Sequence, residues 1–190
     1  NNTTISSKST VVRATMDTEY VDTTFTQSAG SKVYGCWSIW SVYCNASSFT
    51  VSASGGSVTI YSGASRSRSW TWNGVSGSGG TESESGTPTL SASGSGSLSG
   101  TTLSYGNNTS TSSRTTRVTA SYGGSSDYCD ITQYAGSKTY SGWGAWHITL
   151  TANPITIAAA GGNSTLSTSA TRSRTWRWNG TGTAYTEQGS

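Results

Sequence analysis

The sequence predicts an all-β chain made of tandem antiparallel β-sandwich repeats with a 106-residue period. Three observations carry this. The first is composition: 190 residues include 24 Gly, 8 Trp and 10 Tyr, only 2 Pro, and more than a third Ser and Thr. Aromatics are 11% and charged residues 10%, the reverse of a disordered chain, and Thr, Val, Tyr and Trp suit pleated surfaces. The second is patterning, with short stretches of apolar alternation between Gly-rich turns and no useful run at helical period. The third is an internal repeat.

Gln27-Ser28-Ala29-Gly30-Ser31-Lys32 returns 106 residues later as Gln133-Tyr134-Ala135-Gly136-Ser137-Lys138. Arg66-Ser67-Arg68-Ser69-Trp70-Thr71-Trp72-Asn73-Gly74 returns at the same offset as Arg172-Ser173-Arg174-Thr175-Trp176-Arg177-Trp178-Asn179-Gly180. Residues 1–84 align with 107–190 without a gap. Trp37, Trp40, Trp70 and Trp72 map onto Trp143, Trp146, Trp176 and Trp178, a match that Ser/Thr bias alone does not produce.

Strand expectations follow the alternation. Segment 114–122 places Val118, Ala120 and Tyr122 on one face, Gly123-Gly124 turns the chain, and 127–133 carries Cys129, Ile131 and Gln133 on one face. Upstream, 34–42 is a lead-in strand, 48–54 alternates around Phe49, Val51 and Ala53, and 57–62 carries Val58 and Ile60. Further strands are expected at 65–73, near 87–92 and near 98–105, and Glu82 and Glu84 lie in a Gly/Ser-rich stretch. Seven or eight strands with closely spaced turns make a sandwich. The complete repeat then spans 33–136, residues 1–32 are the last two strands of a preceding repeat, and 137–190 are the first half of a following one. The chain begins Asn1-Asn2 without an initiator Met, so a processed product or a segment of something longer is expected.

Several function classes lose support. A net charge of +3 and a pI near 8.8 are too weak and scattered for a nucleic-acid footprint. No apolar run reaches the length of a membrane-spanning helix. Catalysis is not expected. His147 is the single histidine and its counterpart is Ser41, and among the eight acids Glu82 and Glu84 are the neighbours considered for a carboxylate pair. No metal or cofactor is implied, because neither zinc nor calcium spacing is present. Of the three cysteines, Cys129 is expected as a buried thiol. Cys36 and Cys44 bridge only if the chain turns back, since eight extended residues span roughly 26 Å and a disulfide needs Cα atoms within about 7 Å.

The chemistry of interest is the Trp/Arg set. Arg66, Arg68, Trp70 and Trp72 share one strand face, as do Arg172, Arg174, Trp176 and Trp178, with Trp37, Trp40, Trp143 and Trp146 preceding them. Two readings stand side by side: a structural Arg–Trp face held by cation–π attraction, or a platform of indoles that stacks on sugar rings. Trp37-Ser38-Ile39-Trp40 looks like the W-x-x-W of thrombospondin type 1 repeats. The cysteine frame of that family is replaced by Gly142 and Leu150 in the second copy, which makes the likeness convergent.

Arg117-Val118-Thr119-Ala120-Ser121-Tyr122-Gly123-Gly124, followed by Asp130-Ile131-Thr132-Gln133-Tyr134-Ala135-Gly136, resembles the last two strands of bacterial Ig-like repeats of the BACON type. Thr156 to Leu166 resembles a turn of related Ig-like domains in Bacteroidota surface and phage proteins. The resemblance implies an Ig-like sandwich carried in tandem on a cell surface, an extracellular fibre or a phage virion. It transfers no functional residue. The expected function is a non-enzymatic structural or adhesion segment whose partners are neighbouring repeats, in a covalent array or a head-to-tail filament. Two alternatives remain: a mucin-glycan-binding module using the eight tryptophans, and an accessory domain of a secreted hydrolase.

Overall fold

The computed structural model describes residues 2–153 and 155–190. Among them there are sixteen strands and no helix, so the chain is all-β. Contacts divide it into two compact units, one of Asn1–Asn45, Tyr61–Leu90 and Thr119–Tyr128, the other of Ala46–Ile60, Ser91–Val118 and Cys129–Ser190.

In the first unit, β1 (Lys8–Met16) and β2 (Glu19–Gln27) form a two-stranded antiparallel hairpin in register Lys8↔Gln27 to Met16↔Glu19. Its two-residue turn places Asp17 at φ 57°, a left-handed conformation that a short polar side chain tolerates. After β3 (Lys32–Tyr34) and β4 (Ser41–Ala46), β5 (Thr50–Val51) and the start of β6 (Gly56–Trp72), the longest strand, belong to the second unit, and β6 from Tyr61 onward belongs to the first. It pairs with β3, with β4 and with β7 (Gly80–Gly86). The sequence predicts two strands, 57–62 and 65–73, where one runs through. Gly63 does not break it, because a Cβ there would collide with the Tyr43 ring, so this glycine serves a close approach and not a turn. The stretch 80–86, where the sequence predicts no strand, is β7. Its register sets Glu84 opposite Arg66 and Glu82 opposite Arg68, and these charge pairs supply what its weak strand propensity lacks.

In the second unit, β8 (Thr89–Gly94) joins a four-stranded sheet of order β5-β12-β11-β8, with β11 (Arg114–Tyr122) and β12 (Ser125–Gln133). The expected strand 98–105 is a hairpin of β9 (Ser97–Ser99) and β10 (Thr102–Tyr105), turned at Gly100 with φ 56°. Of the predicted strand 48–54 only Thr50–Val51 is regular, and it pairs with β12 in parallel. Val51, Val58, Ile60, Leu103, Tyr105, Val118, Cys129 and Ile131 are buried together. They come from the sheet of β6 and β10 and from the sheet of β11 and β12, as in a β-sandwich. The Tyr105 hydroxyl donates to the Ile131 carbonyl at 2.9 Å, tying one sheet to the other. Gln133, fully buried, accepts from Arg114 Nε at 2.6 Å and donates from Nε2 to the carbonyls of Ser52, Ala53 and Gly106. The same unit holds a further antiparallel sheet of β13 (Lys138–Tyr140), β14 (His147–Asn153), β15 (Thr165–Trp178) and β16 (Tyr185–Gly189).

Strand bounds coincide at the 106-residue offset: β1 with β11, β2 with β12 and β3 with β13. So do hydrogen bonds. In the first unit, Asn2 donates to the carbonyls of Ser6 and Ser28, and Asn73 accepts from Ser31 N and donates to the Asn2 carbonyl. In the second, Asn108 donates to the carbonyls of Ser112 and Tyr134, and Asn179 accepts from Ser137 N and donates to the Asn108 carbonyl. Gly30 and Gly136 pack so closely on the carbonyls of Asn2 and Asn108 that a Cβ would not fit. The gapless alignment, however, fails beyond the Asn-Gly turn. Trp70 faces Gly80, while Trp176 faces Tyr185. The second hairpin loop is one residue shorter, so Glu187, not Gln188, stands where Glu82 stands.

Replacing Gln133 with Ala strips the partner from three carbonyls and one guanidinium in the sandwich interior. The expected loss is about 2–4 kcal/mol, read as a lower urea midpoint at unchanged slope.

Candidate functional site: an aromatic and cation ladder

The segment 35–40 lies along β6 and is held there by Gly35 N to Ser69 O and Ser38 N to Ser67 O, both 2.8 Å, with Ser67 N donating back to Ser38 Oγ at 3.0 Å. This carries Trp37 and Trp40 over the strand face from which Arg66 and Arg68 project. Arg66 Cζ sits 4.8 Å from the Trp37 ring centre and 4.6 Å from that of Trp40. Arg68 Cζ sits 3.9 Å from Tyr34 and 4.5 Å from Trp37. The contacts run Trp40, Arg66, Trp37, Arg68, Tyr34. Each guanidinium also meets a carboxylate of β7. Arg66 Nε and Nη2 lie 2.8 and 2.7 Å from Glu84 Oε2, and Arg68 Nη2 lies 3.1 Å from Glu82 Oε2. A cation can stand in this strand because indole faces and a carboxylate replace part of its water.

The second copy repeats the stack. Ser141 N and Gly144 N donate to the carbonyls of Thr175 and Ser173, both at 2.8 Å. Arg172 lies 4.6 Å from Trp143 and 4.5 Å from Trp146, and Arg174 lies 3.9 Å from Tyr140 and 4.4 Å from Trp143. Arg174 Nε meets Glu187 at 2.7 Å.

The alternation placed Trp70 and Trp72 on the strand face of the arginines, and the registers of β3 and β7 against β6 keep them there; what differs is the cation that meets them. It is Lys32 that lies over Trp70, at 4.2 Å, and Trp70 meets Trp72 edge-on at 5.6 Å. Likewise Lys138 lies over Trp176 at 4.1 Å, Trp176 meets Trp178 edge-on at 5.7 Å, and Tyr185 stacks on Trp176 at 4.5 Å. Sequence reasoning missed Tyr34, Tyr140, Lys32 and Lys138. The available signal was the Lys-x-Tyr shared by both copies (Lys32-Val33-Tyr34 and Lys138-Thr139-Tyr140). Seven of the indoles are half-buried, and Trp146 is exposed at 48%. Trp40 shows how such a ring can be covered: it meets Tyr122 edge-on at 4.6 Å, and Gly123 packs against it.

Glu82 and Glu84, the carboxylate pair considered from the sequence, are engaged by separate arginines. Desolvation pushes the Glu82 carboxyl up, but the hydrogen bonds from Arg68 and Tyr34 and the charges of Arg68 and Lys32 outweigh it and hold the group below its ordinary value. Cys36, Cys44 and Cys129 are thiols, and no disulfide joins Cys36 to Cys44. Cys129 is buried. His147 is exposed on β14. No known protein family matches the chain, and neither does a characterised protein or a solved structure.

Removing Arg68 with Ala should cost about 1–2 kcal/mol through lost stacking and stem packing, and Arg174→Ala should act alike. Unchanged urea midpoints in both would show that the stacks carry no stability. The lowered Glu82 value has a defined consequence. The ion pair contributes above the unfolded value of 4.5, and that contribution fades as pH falls through the folded value. The stability difference between the parent and Glu82→Gln should therefore shrink below about pH 4.5, as measured by urea titration at each pH.

Proposed function

We propose that the chain is a non-enzymatic structural or adhesion segment of a tandem Ig-like repeat protein, of the BACON type that its strand motifs resemble, displayed on a cell surface, an extracellular fibre or a phage virion. In this reading 33–136 is one complete repeat, 1–32 closes a preceding one and 137–190 opens a following one. A single contrast supports it. Val118, Ile131 and Ile60 are 0%, 0% and 1% exposed, while Val12, Phe25 and Leu166, at the same places one period away, are 52%, 61% and 65% exposed. The faces of β1–β2 and β14–β15 have the composition of a sandwich interior and no cover, which is what neighbouring repeats would supply. Whether the neighbour is covalently joined or a second copy, the same faces meet. The recurring hydrogen bonds of Asn73 and Asn179 to backbone of Ser31 and Asn2, and of Ser137 and Asn108, fit the regular spacing that such a stalk needs.

In sedimentation velocity the chain should associate as concentration rises. Phe25→Ser and Leu166→Ser should each weaken association about tenfold or more, since burying one such side chain is worth about 1.5–3 kcal/mol. A folded, strictly monomeric chain with both terminal segments ordered would overturn the reading. Boiling and reduction separate its two forms: a complemented filament collapses to a 19.6 kDa band, and a covalent array runs far above it.

A further inference from the structure

The two copies of the ladder differ at one place. In the first, Arg66 lies between Trp37 and Trp40 and its Nε and Nη2 hold the Glu84 carboxylate at 2.8 and 2.7 Å. In the second, Arg172 lies in the same setting, between Trp143 and Trp146. Its strand partner in register is Gly189, where Arg66 has Glu84. Arg172 Nε is buried and has no hydrogen-bond partner. Arg172 takes part in none of the ion pairs among the described residues, whereas Arg66, Arg68 and Arg174 each pair with a glutamate. A buried guanidinium N–H without an acceptor is costly, and the shape of the missing acceptor is given by the first copy.

We propose that Arg172, with Trp143 and Trp146, is a binding site for the carboxylate group of an acidic ligand. The guanidinium fork takes the carboxylate as it takes Glu84 in the first copy, and the indoles on either side lower the local dielectric and strengthen the pair. Trp146, exposed at 48%, offers a flat apolar face beside the site, which favours an acid carried on a ring over acetate. Gly189 brings no carboxylate of its own to the position that Glu84 fills in the first copy. The far edge of the Trp143 ring lies over it, 2.8 Å from where a Cβ would stand, so binding moves that ring and alters indole emission. The Arg172 setting is formed within 137–190, but in the repeat array a neighbour would cover Trp146 as Tyr122 covers Trp40, so the ring-bearing face of the site is open where that neighbour is absent.

The test is a fluorescence titration of the full chain with sodium acetate, sodium glucuronate and glucose at constant ionic strength. Saturable changes with glucuronate and, more weakly, acetate are expected, and none with glucose. Arg172→Gln should weaken glucuronate binding about tenfold or more, and Gly189→Glu should block it by supplying an internal carboxylate. Glu84→Gly, which leaves Arg172 untouched, should raise the number of sites from one to two by vacating the same position at Arg66. Equal responses to glucuronate and glucose, or binding that survives Arg172→Gln, would overturn the proposal. If Arg172→Gln does not fold, an unchanged site number in Glu84→Gly overturns it instead. Preference for a glutamate-containing peptide over glucuronate at matched carboxylate concentration would reject the ring-borne acid.

Discussion

A guanidinium held between aromatic rings and met by a carboxylate is the interaction on which this architecture turns. The long strand β6 carries two arginines on one face, and charged side chains there need compensation. Trp37 and Trp40 stack on them from the segment 35–40, and Glu82 and Glu84 meet them from β7. That arrangement aligns β3, the segment 35–40, β6 and β7 in one register. It also explains how a Gly/Ser-rich segment such as 80–86 becomes a strand, because its acids sit opposite the arginines. Large aliphatics are scarce in this chain, and the ladder organises polar and aromatic surface where a leucine-rich protein would bury methyl groups.

Interior packing is confined to a small set of residues from two sheets, with a polar group at its centre. Gln133 satisfies three carbonyls and one arginine at the place where Ser52, Ala53 and Gly106 pass by. Full satisfaction makes a buried amide tolerable, and its directional bonds set the register that Val and Ile alone would leave looser. The asparagines do similar work near the chain connections. Asn73 and Asn179 adopt φ values of 52° and 51° at Asn-Gly turns, and their amides hold backbone from a distant part of the sequence.

The contrast between the copies follows from the same physics. Strands with equal patterning are buried in one place and exposed in another, since burial depends on what lies opposite and not on the strand. Arg66 and Arg172 likewise have the same aromatic setting and different electrostatics, because one strand partner is Glu84 and the other Gly189.

Periodicity in the sequence was enough to determine the all-β class, the strands 114–122 and 127–133, the buried thiol of Cys129, and the common strand face of Arg66, Arg68, Trp70 and Trp72. Each is a local signal: alternation marks a face, and a repeated string marks equivalent places. What lies across a strand is not local. The continuity of β6 through Gly63 depended on the Tyr43 ring, and the identity of β7 depended on arginines fourteen and eighteen residues away. The place of Lys32 over Trp70 depended on the register of β3 against β6. The one-residue difference between the hairpins, which puts Glu187 on Arg174 and leaves Arg172 opposite a glycine, became visible only once cross-strand partners were known. Pairing between distant segments is chosen by the summed energy of the whole sheet, and only the tertiary structure decides it.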